Sequence, residues 1–347
     1  MKNTFALSMI ALLIGGAPAL AQDLPKTQLK VVGSISSLAP YKDFEVPFWT
    51  KHLAEKSKGA ITAEIKGFNE MGLKGPEVLR LMSSGALEIG ATVLAYLAAD
   101  DPANEAVDIA GLITSVELSR KATEASKAMY QQLFQKFGVK LLAAGTYPAQ
   151  VLYCNAELKG LSDIRGKKVR VAGRSQSELV EALGGTPVTM AFGEVVPALQ
   201  NKTVDCGITG TLSGNLAKWN EVSTHLLAIP LSWGQIAYAV NMKSWEKMDP
   251  RVRAVIETEI KTMENGICDA AANHTEQGYA CNAGRDDCKI GTKGKMKVVQ
   301  PSDADRAQLK KIVNEVMIPK WAARCSVECV AGFNDTIGKV VGVVAKK

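Results

Sequence analysis

Arg170 closes the strand-like run KKVRVAG (residues 167–173) just before a turn, and it is the residue in this chain best suited to specific chemistry. A guanidinium is a planar fork of N–H donors that stays charged at any physiological pH, so it matches a carboxylate bidentately. Lys167, Lys168 and Arg174 beside it read as a solvated face. Trp233, after Pro230, offers an apolar wall or a stacking surface for a planar ligand, or a core position. Patterns for catalysis are missing: there is no G-x-S-x-G, H-E-x-x-H, G-x-x-x-x-G-K-[ST] or strand-linked G-x-G-x-x-G. Glu45, Glu55, Glu77 and Glu88 fall on helix-like or alternating runs without an acid/base pair. His52, His225 and His274 stand at no metal-ligand spacing from the cysteines, so neither a metal nor a cofactor is expected.

The elements that would position Arg170 alternate between strand-like and helix-like runs from residue 29 to about residue 238, which predicts an α/β protein with largely parallel sheets. Residues 29–35, 61–68 and 86–93 read as strands. Helices are predicted over 44–57, 75–84 with Pro76 at its start, and 116–137. Runs 139–147 and 149–155 carry the chain into a second set of strands at 167–173, 187–190 and 204–209, with helices at 175–183 and 192–200. A long helix over 250–279 and further helices at 303–324 and 332–344 complete the chain. The expected architecture is a two-lobed clamshell with more than one hinge crossing: residues 22–148 and 240–280 form the first lobe and 149–239 the second, while 281–347 brace both. Ligands of open α/β sheets bind beyond the carboxyl ends of the strands. Ser36, Thr92 and Tyr96, in loops after the first and third strands, are therefore candidate contacts, and Val93 a candidate apolar wall.

Composition sets the compartment. Residues 1–21 combine Lys2, a short apolar run and the small-residue sequence Ala19-Leu20-Ala21, the pattern of a cleaved export signal. The 347 residues leave room for two lobes, 47% hydrophobic content supports real cores, and the net charge of +6 is dispersed, giving no support to nucleic-acid binding. Seven cysteines in an exported chain are candidates for disulfides. Cys281 and Cys288 flank a turn-rich hexapeptide, and Cys154 and Cys206 sit on neighbouring predicted strands. Cys325 and Cys329 stand four residues apart on a predicted helix and can pair only if that helix is distorted. Cys268 is expected to stay free.

The stretch from residue 158 to 210 closely resembles the second-lobe segment of the solute-binding proteins of tripartite ATP-independent periplasmic (TRAP) transporters. The matching positions are Asp163 to Gly166, Lys168, Arg170, Leu183 to Pro187, Met190, Phe192, Glu194, Val195, Ala198, Leu199 and Asp205. Gly75-Pro76-Glu77, Leu81 to Ile89 and Tyr96 to Pro102 resemble the family's first-lobe segments, so the likeness covers most of the chain; the cysteine-rich C-terminal part departs from it. By that resemblance Arg170 is the carboxylate-binding arginine and Phe192 an aromatic residue that packs on the ligand. Thr209 falls where many members carry an asparagine, and Gln150 near where some place a second arginine. Both exchanges reduce the capacity for a second anionic group.

The resemblance implies a monomeric periplasmic receptor, not an enzyme, that captures a small carboxylate and hands it to integral-membrane permease subunits driven by an ion gradient. A monocarboxylate with an aromatic or 2-oxo body is favoured. The alternatives are an ABC-type receptor of the same shape, a periplasmic enzyme acting on a small organic acid, and a sensing module for a membrane receptor.

Overall fold

Strand-forming runs assemble into two sheets in the computed structural model, which describes residues 23–347; the expected export signal over residues 1–21 lies outside the described residues. In chain order the strands are β1 (Thr27–Gly33), β2 (Ile61–Gly67), β3 (Ile89–Val93), β4 (Val139–Thr146), β5 (Gln150–Cys154), β6 (Lys168–Val171), β7 (Thr186–Thr189), β8 (Cys206–Gly210), β9 (His225–Ser232), β10 (Gln235–Asn241) and β11 (Lys297–Val299). The first sheet runs β2-β1-β3-β10-β4 and the second β11-β9-β5-β8-β6-β7.

The expectation of largely parallel sheets needs correction, because each sheet is mixed. β1 pairs parallel with β2 and β3, and β6 with β7 and β8. β10 lies antiparallel between β3 and β4, and β5 antiparallel between β8 and β9. The cause is the way the chain changes lobes. β4 runs into β5 through Tyr147-Pro148-Ala149, and β9 runs into β10 through Trp233-Gly234, so an antiparallel ribbon passes from one sheet into the other. The Tyr147 N–H donates to Gly234 O at 3.0 Å and carries the ladder across the gap.

The return to the first lobe therefore falls at Gly234, before residue 240 where the sequence reading placed it, since β10 already belongs to the first sheet. The run LLAIPLSWGQIAYAVNM is largely apolar on both sides of Gly234, which stands at φ 58°, a left-handed conformation that suits a residue without Cβ. The C-terminal segment contributes more than helices, because β11 pairs with β9 at the edge of the second sheet.

Two prolines shape helices locally. The first helical stretch begins at Pro40 rather than residue 44, and both sides of Pro47 widen to i→i+5 bonding, at Pro40–Glu45 and Phe48–His52. A second widened turn, Val313–Met317, precedes Pro319. Proline lacks the N–H for the regular ladder and clashes with the preceding turn, which a wider turn relieves.

The long helix spans Pro250–Ala283 and touches both lobes. Its Glu264 accepts the Ala144 N–H of β4 at 2.9 Å, and its Thr275 carbonyl accepts the Thr211 hydroxyl of the second lobe at 3.0 Å. Farther on, Asp305 accepts the Leu161 N–H at 2.7 Å in the second lobe, and the Trp321 indole donates to Pro102 O at 2.9 Å in the first.

Disulfides join Cys154 to Cys206, Cys281 to Cys288 and Cys325 to Cys329, and Cys268 is free. Cys154 and Cys206 face each other across the β5/β8 ladder. The last pair satisfies the condition of a distorted helix, because the helix ends at Cys325, whose backbone is extended, and Ser326 caps a new one by accepting the Cys329 N–H. Among the described residues no helix is long and apolar enough to cross a membrane.

Candidate ligand-binding site

β6 reads KVRV, with Lys168 exposed and the next three residues buried, so Arg170 points into the molecule. It is 1% exposed. Backbone carbonyls hold its guanidinium in place: Nε and Nη2 donate to Met190 O at 3.2 and 3.1 Å, and Nη1 donates to Ile208 O at 2.9 Å. A guanidinium has five N–H donors. Three are given to backbone carbonyls here, and the Tyr96 hydroxyl lies within reach of those that remain, one each on Nη1 and Nη2. The Phe192 and Trp219 rings, stacked at 5.6 Å, lie 6.0 and 5.6 Å from the guanidinium carbon, within cation–π range.

Among the described residues no carboxylate forms an ion pair with this buried cation. Glu194, the acid whose charge acts on it, pairs with Lys74 at 2.7 Å instead. Burial pushes the Arg170 guanidinium below its ordinary pKa, opposed by the Tyr96 hydroxyl and by Glu194. Arginine nonetheless remains charged in proteins. The result is a desolvated positive charge compensated by carbonyl dipoles, ring faces and the Tyr96 hydroxyl, with no acidic partner of its own among the described residues.

Arg170, Phe192, Thr209, Gln150, Tyr96 and Val93 line one cavity of about 30 Å³ between the two sheets. Ile35, Leu38 and Ala95 add apolar wall from the first lobe, and Gln176 and Ser213 add polar groups from the second. The cleft is narrow because the lobes touch around it. Gly173 lies against the Ala95 carbonyl, where a Cβ would sit 2.6 Å from the oxygen.

Three expected contacts lie elsewhere, each satisfied inside the first lobe or at the crossing. The Trp233 indole donates to Ile113 O at 3.1 Å and its backbone N–H to Asp108 at 2.8 Å, so this residue takes the core position. The Thr92 hydroxyl is fully buried and donates to Gly75 O at 3.0 Å. The Ser36 hydroxyl accepts from the Asn69 side chain, whose oxygen in turn accepts the Ser36 N–H at 2.9 Å.

Other lining residues escaped the sequence reading. Asp108 lies beneath the hinge, accepting the N–H groups of Trp233 and Gly234 at 2.8 and 3.1 Å; burial above all raises its carboxyl to about 6. Tyr147 stands on the crossing itself, and Trp219 backs the Phe192 ring. The one available signal was position: Tyr147 precedes Pro148 where the strand pattern changes lobes.

Two mixed α/β sheets, a ribbon crossing between them and a buried cation in the cleft define a solute-binding protein of the clamshell type. The chain belongs to the bacterial extracellular solute-binding proteins, family 7, whose model matches residues 37–322. It is 31% identical over 229 residues to the C4-dicarboxylate-binding periplasmic protein DctP of Rhodobacter capsulatus, a match covering 62% of this chain and 67% of that one. Among solved structures, an extracytoplasmic solute receptor of Bordetella pertussis binding pyroglutamic acid superposes with a TM-score of 0.80 at 19% identity, covering 89% of this chain and 99% of the other. A TRAP periplasmic solute-binding protein from Desulfovibrio salexigens with bound orotic acid gives 0.79 at 17% identity, covering 90% and 99%. One from Rhodoferax ferrireducens with bound malonate gives 0.79 at 18%, covering 90% and 98%. The chain is thus a TRAP-type solute-binding protein rather than an ABC-type one.

Proposed function

We propose that this protein is the periplasmic receptor of a TRAP transporter, capturing a compact organic acid by its carboxylate on Arg170 and delivering it to integral-membrane permease subunits. It reaches the periplasm through a cleaved signal over residues 1–21, acts as a monomer and binds without turnover. The observation that carries the carboxylate contact is the state of Arg170: a buried cation with no acidic partner among the described residues, held only by backbone carbonyls and the Tyr96 hydroxyl. Burying a charge without a partner is costly. A ligand carboxylate supplies the missing charge, and lobe closure strengthens the pairing by excluding water.

The lining favours a monocarboxylate. Arg170 is the one cationic residue among those lining the cavity, and Gln150 presents an amide that already donates to Pro148 O at 3.0 Å. A second carboxylate would be buried against neutral groups and Asp108, at a cost of several kcal/mol, well above the ~1 kcal/mol of an extra neutral hydrogen bond. The dicarboxylate named for the Rhodobacter relative and the malonate of the Rhodoferax structure belong to those proteins. Phe192 and Val93 supply apolar surface for a planar or aliphatic body. A calorimetric screen of monocarboxylic, dicarboxylic, 2-oxo, aromatic and sugar acids tests this directly. Succinate or a sugar acid binding tenfold tighter than every monocarboxylate would refute the ligand class, and chemical change in the recovered ligand would refute a purely binding role.

A further inference from the structure

Tyr147 lies on the hinge ribbon between Thr146, where β4 ends, and Pro148, and it lines the same cavity as Arg170. It is 4% exposed, and its hydroxyl is buried without a well-formed hydrogen bond, with the Ser34 side chain and the Ile35 backbone beside it. The donors of Ser34 are committed elsewhere. Ser34 gives both its backbone N–H and its hydroxyl to Glu45, which also accepts the Tyr238 hydroxyl at 2.9 Å. The ring packs beside Gln150, since a Cβ at Gly234 would come within 3.2 Å of both the Tyr147 ring and the Gln150 amide nitrogen. Leaving a buried hydroxyl unpaired is unfavourable, and such groups call for an explanation in their surroundings. Here the surroundings are the ligand cavity.

We propose that Tyr147 is a specificity-determining residue, its hydroxyl hydrogen-bonding an uncharged polar group of the ligand, such as a hydroxyl, an oxo group or a ring amide, while Arg170 holds the carboxylate. The inference rests on the reading of Arg170 given above. Arg170 and Tyr147 line a single cavity, so one molecule seated there meets both groups. Charge decides the kind of group. Glu45, fully buried and carrying three hydrogen bonds but no ion pair among the described residues, acts electrostatically on the Tyr147 hydroxyl, so an anionic second group is disfavoured there, whereas a neutral one is not. The ligand class is a small hydroxy, oxo or lactam monocarboxylic acid.

Matched pairs of acids differing in one polar group test the assignment by titration calorimetry on the mature protein: pyroglutamate against cyclopentanecarboxylate, mandelate against phenylacetate, and lactate against propionate. In the wild-type protein at least one polar member binds ten or more times tighter than its partner, since a site built to bond a polar group discriminates strongly against an analogue lacking it. Tyr147→Phe brings the two members of that pair to within about threefold, by weakening the polar one and leaving the other nearly unchanged. Without ligand, Tyr147→Phe melts no lower than wild type, because the hydroxyl has no well-formed protein hydrogen bond to lose; a lower melting point would point to a structural role instead. A gap that persists in Tyr147→Phe, or a wild-type protein that binds none of the polar members, overturns the proposal. Arg170→Ala separates the two readings. It weakens both members of each pair equally if the carboxylate assignment holds. Unchanged affinity in that variant together with a collapsed gap in Tyr147→Phe would reject the Arg170 assignment and leave the Tyr147 one standing.

Discussion

The Glu105 carboxylate of the first lobe accepts the backbone N–H of Ser175 in the second lobe at 2.7 Å, four residues beyond the strand that carries Arg170. Its other oxygen accepts from Arg324 at 3.0 Å, and Arg324 also reaches Glu178 at 3.2 Å, so one C-terminal arginine spans acids of both lobes. The Ser175 hydroxyl completes the junction by accepting the Ala110 N–H at 2.6 Å. These contacts join the lobes and hold the start of the helix Arg174–Ala182 beside the cleft.

Glu105→Ala should therefore weaken closure. Removing one partner of a buried ion pair costs about 3–5 kcal/mol. Arg324 keeps Glu178 here, so the expected loss in ligand affinity is lower, about 1–3 kcal/mol. Small-angle scattering of the ligand-free variant should show a larger radius of gyration than wild type. An unchanged radius with unchanged affinity would show that the junction does not control closure.

Arg170→Ala should lower ligand affinity by about 2–5 kcal/mol with the fold retained. Arg170→Lys should recover part of this, because an ammonium is a point charge and cannot reproduce both the carbonyl contacts and the end-on fork. Calorimetry with any bound acid checks the order wild type, lysine, alanine.

Asp108 predicts a pH signature. Burial is the main cause of its raised carboxyl pKa, about 6 against 3.8, with the charge of Glu105 adding and the Trp233 and Gly234 N–H groups opposing. Between about pH 4 and 6 the folded protein holds a proton that the unfolded chain releases, so this group's stabilising contribution is full below that window and declines as pH rises through it. Asp108→Asn keeps an oxygen to accept both N–H groups and removes the buried charge. Ligand-free melts should coincide near pH 4 and diverge in the variant's favour above pH 6, by up to about 3 kcal/mol at 1.36 kcal/mol per pH unit. A variant less stable than wild type at pH 7 would contradict the assignment.

The cysteines predict one free thiol. Alkylation of the denatured, unreduced mature protein should modify Cys268 alone, and peptide mapping should recover the three disulfides. Modification of all seven thiols would refute it. Loop-closure entropy makes the cross-link between Cys154 and Cys206, 52 residues apart, worth about 4 kcal/mol, against about 2 kcal/mol for Cys281 and Cys288, 7 apart. Cys154→Ser should accordingly lower the melting temperature more than Cys288→Ser.

Local chemistry decided what the chain showed on its own. Period-two and period-3.6 hydrophobic patterns, Pro76 at a helix start and the glycines at turns are properties of neighbouring residues, so β1, β2, β6, β8 and the helices Val116–Lys136 and Pro250–Ala283 were legible without coordinates. So was the chemical promise of Arg170, which needs only its side chain and the motif around it. The lobe boundary at Gly234 was not, because β9 and β10 form one apolar run and only pairing with different sheets divides them. Nor could the sequence reveal which donors are spent. Trp233, Thr92 and Ser36 are consumed by partners 17 to 120 residues away, while the Tyr147 hydroxyl is left without a well-formed bond because Glu45 claims Ser34. Whether a polar group is free to meet a ligand depends on every other group folded against it, and that is settled by long-range packing rather than by the residue and its spacing.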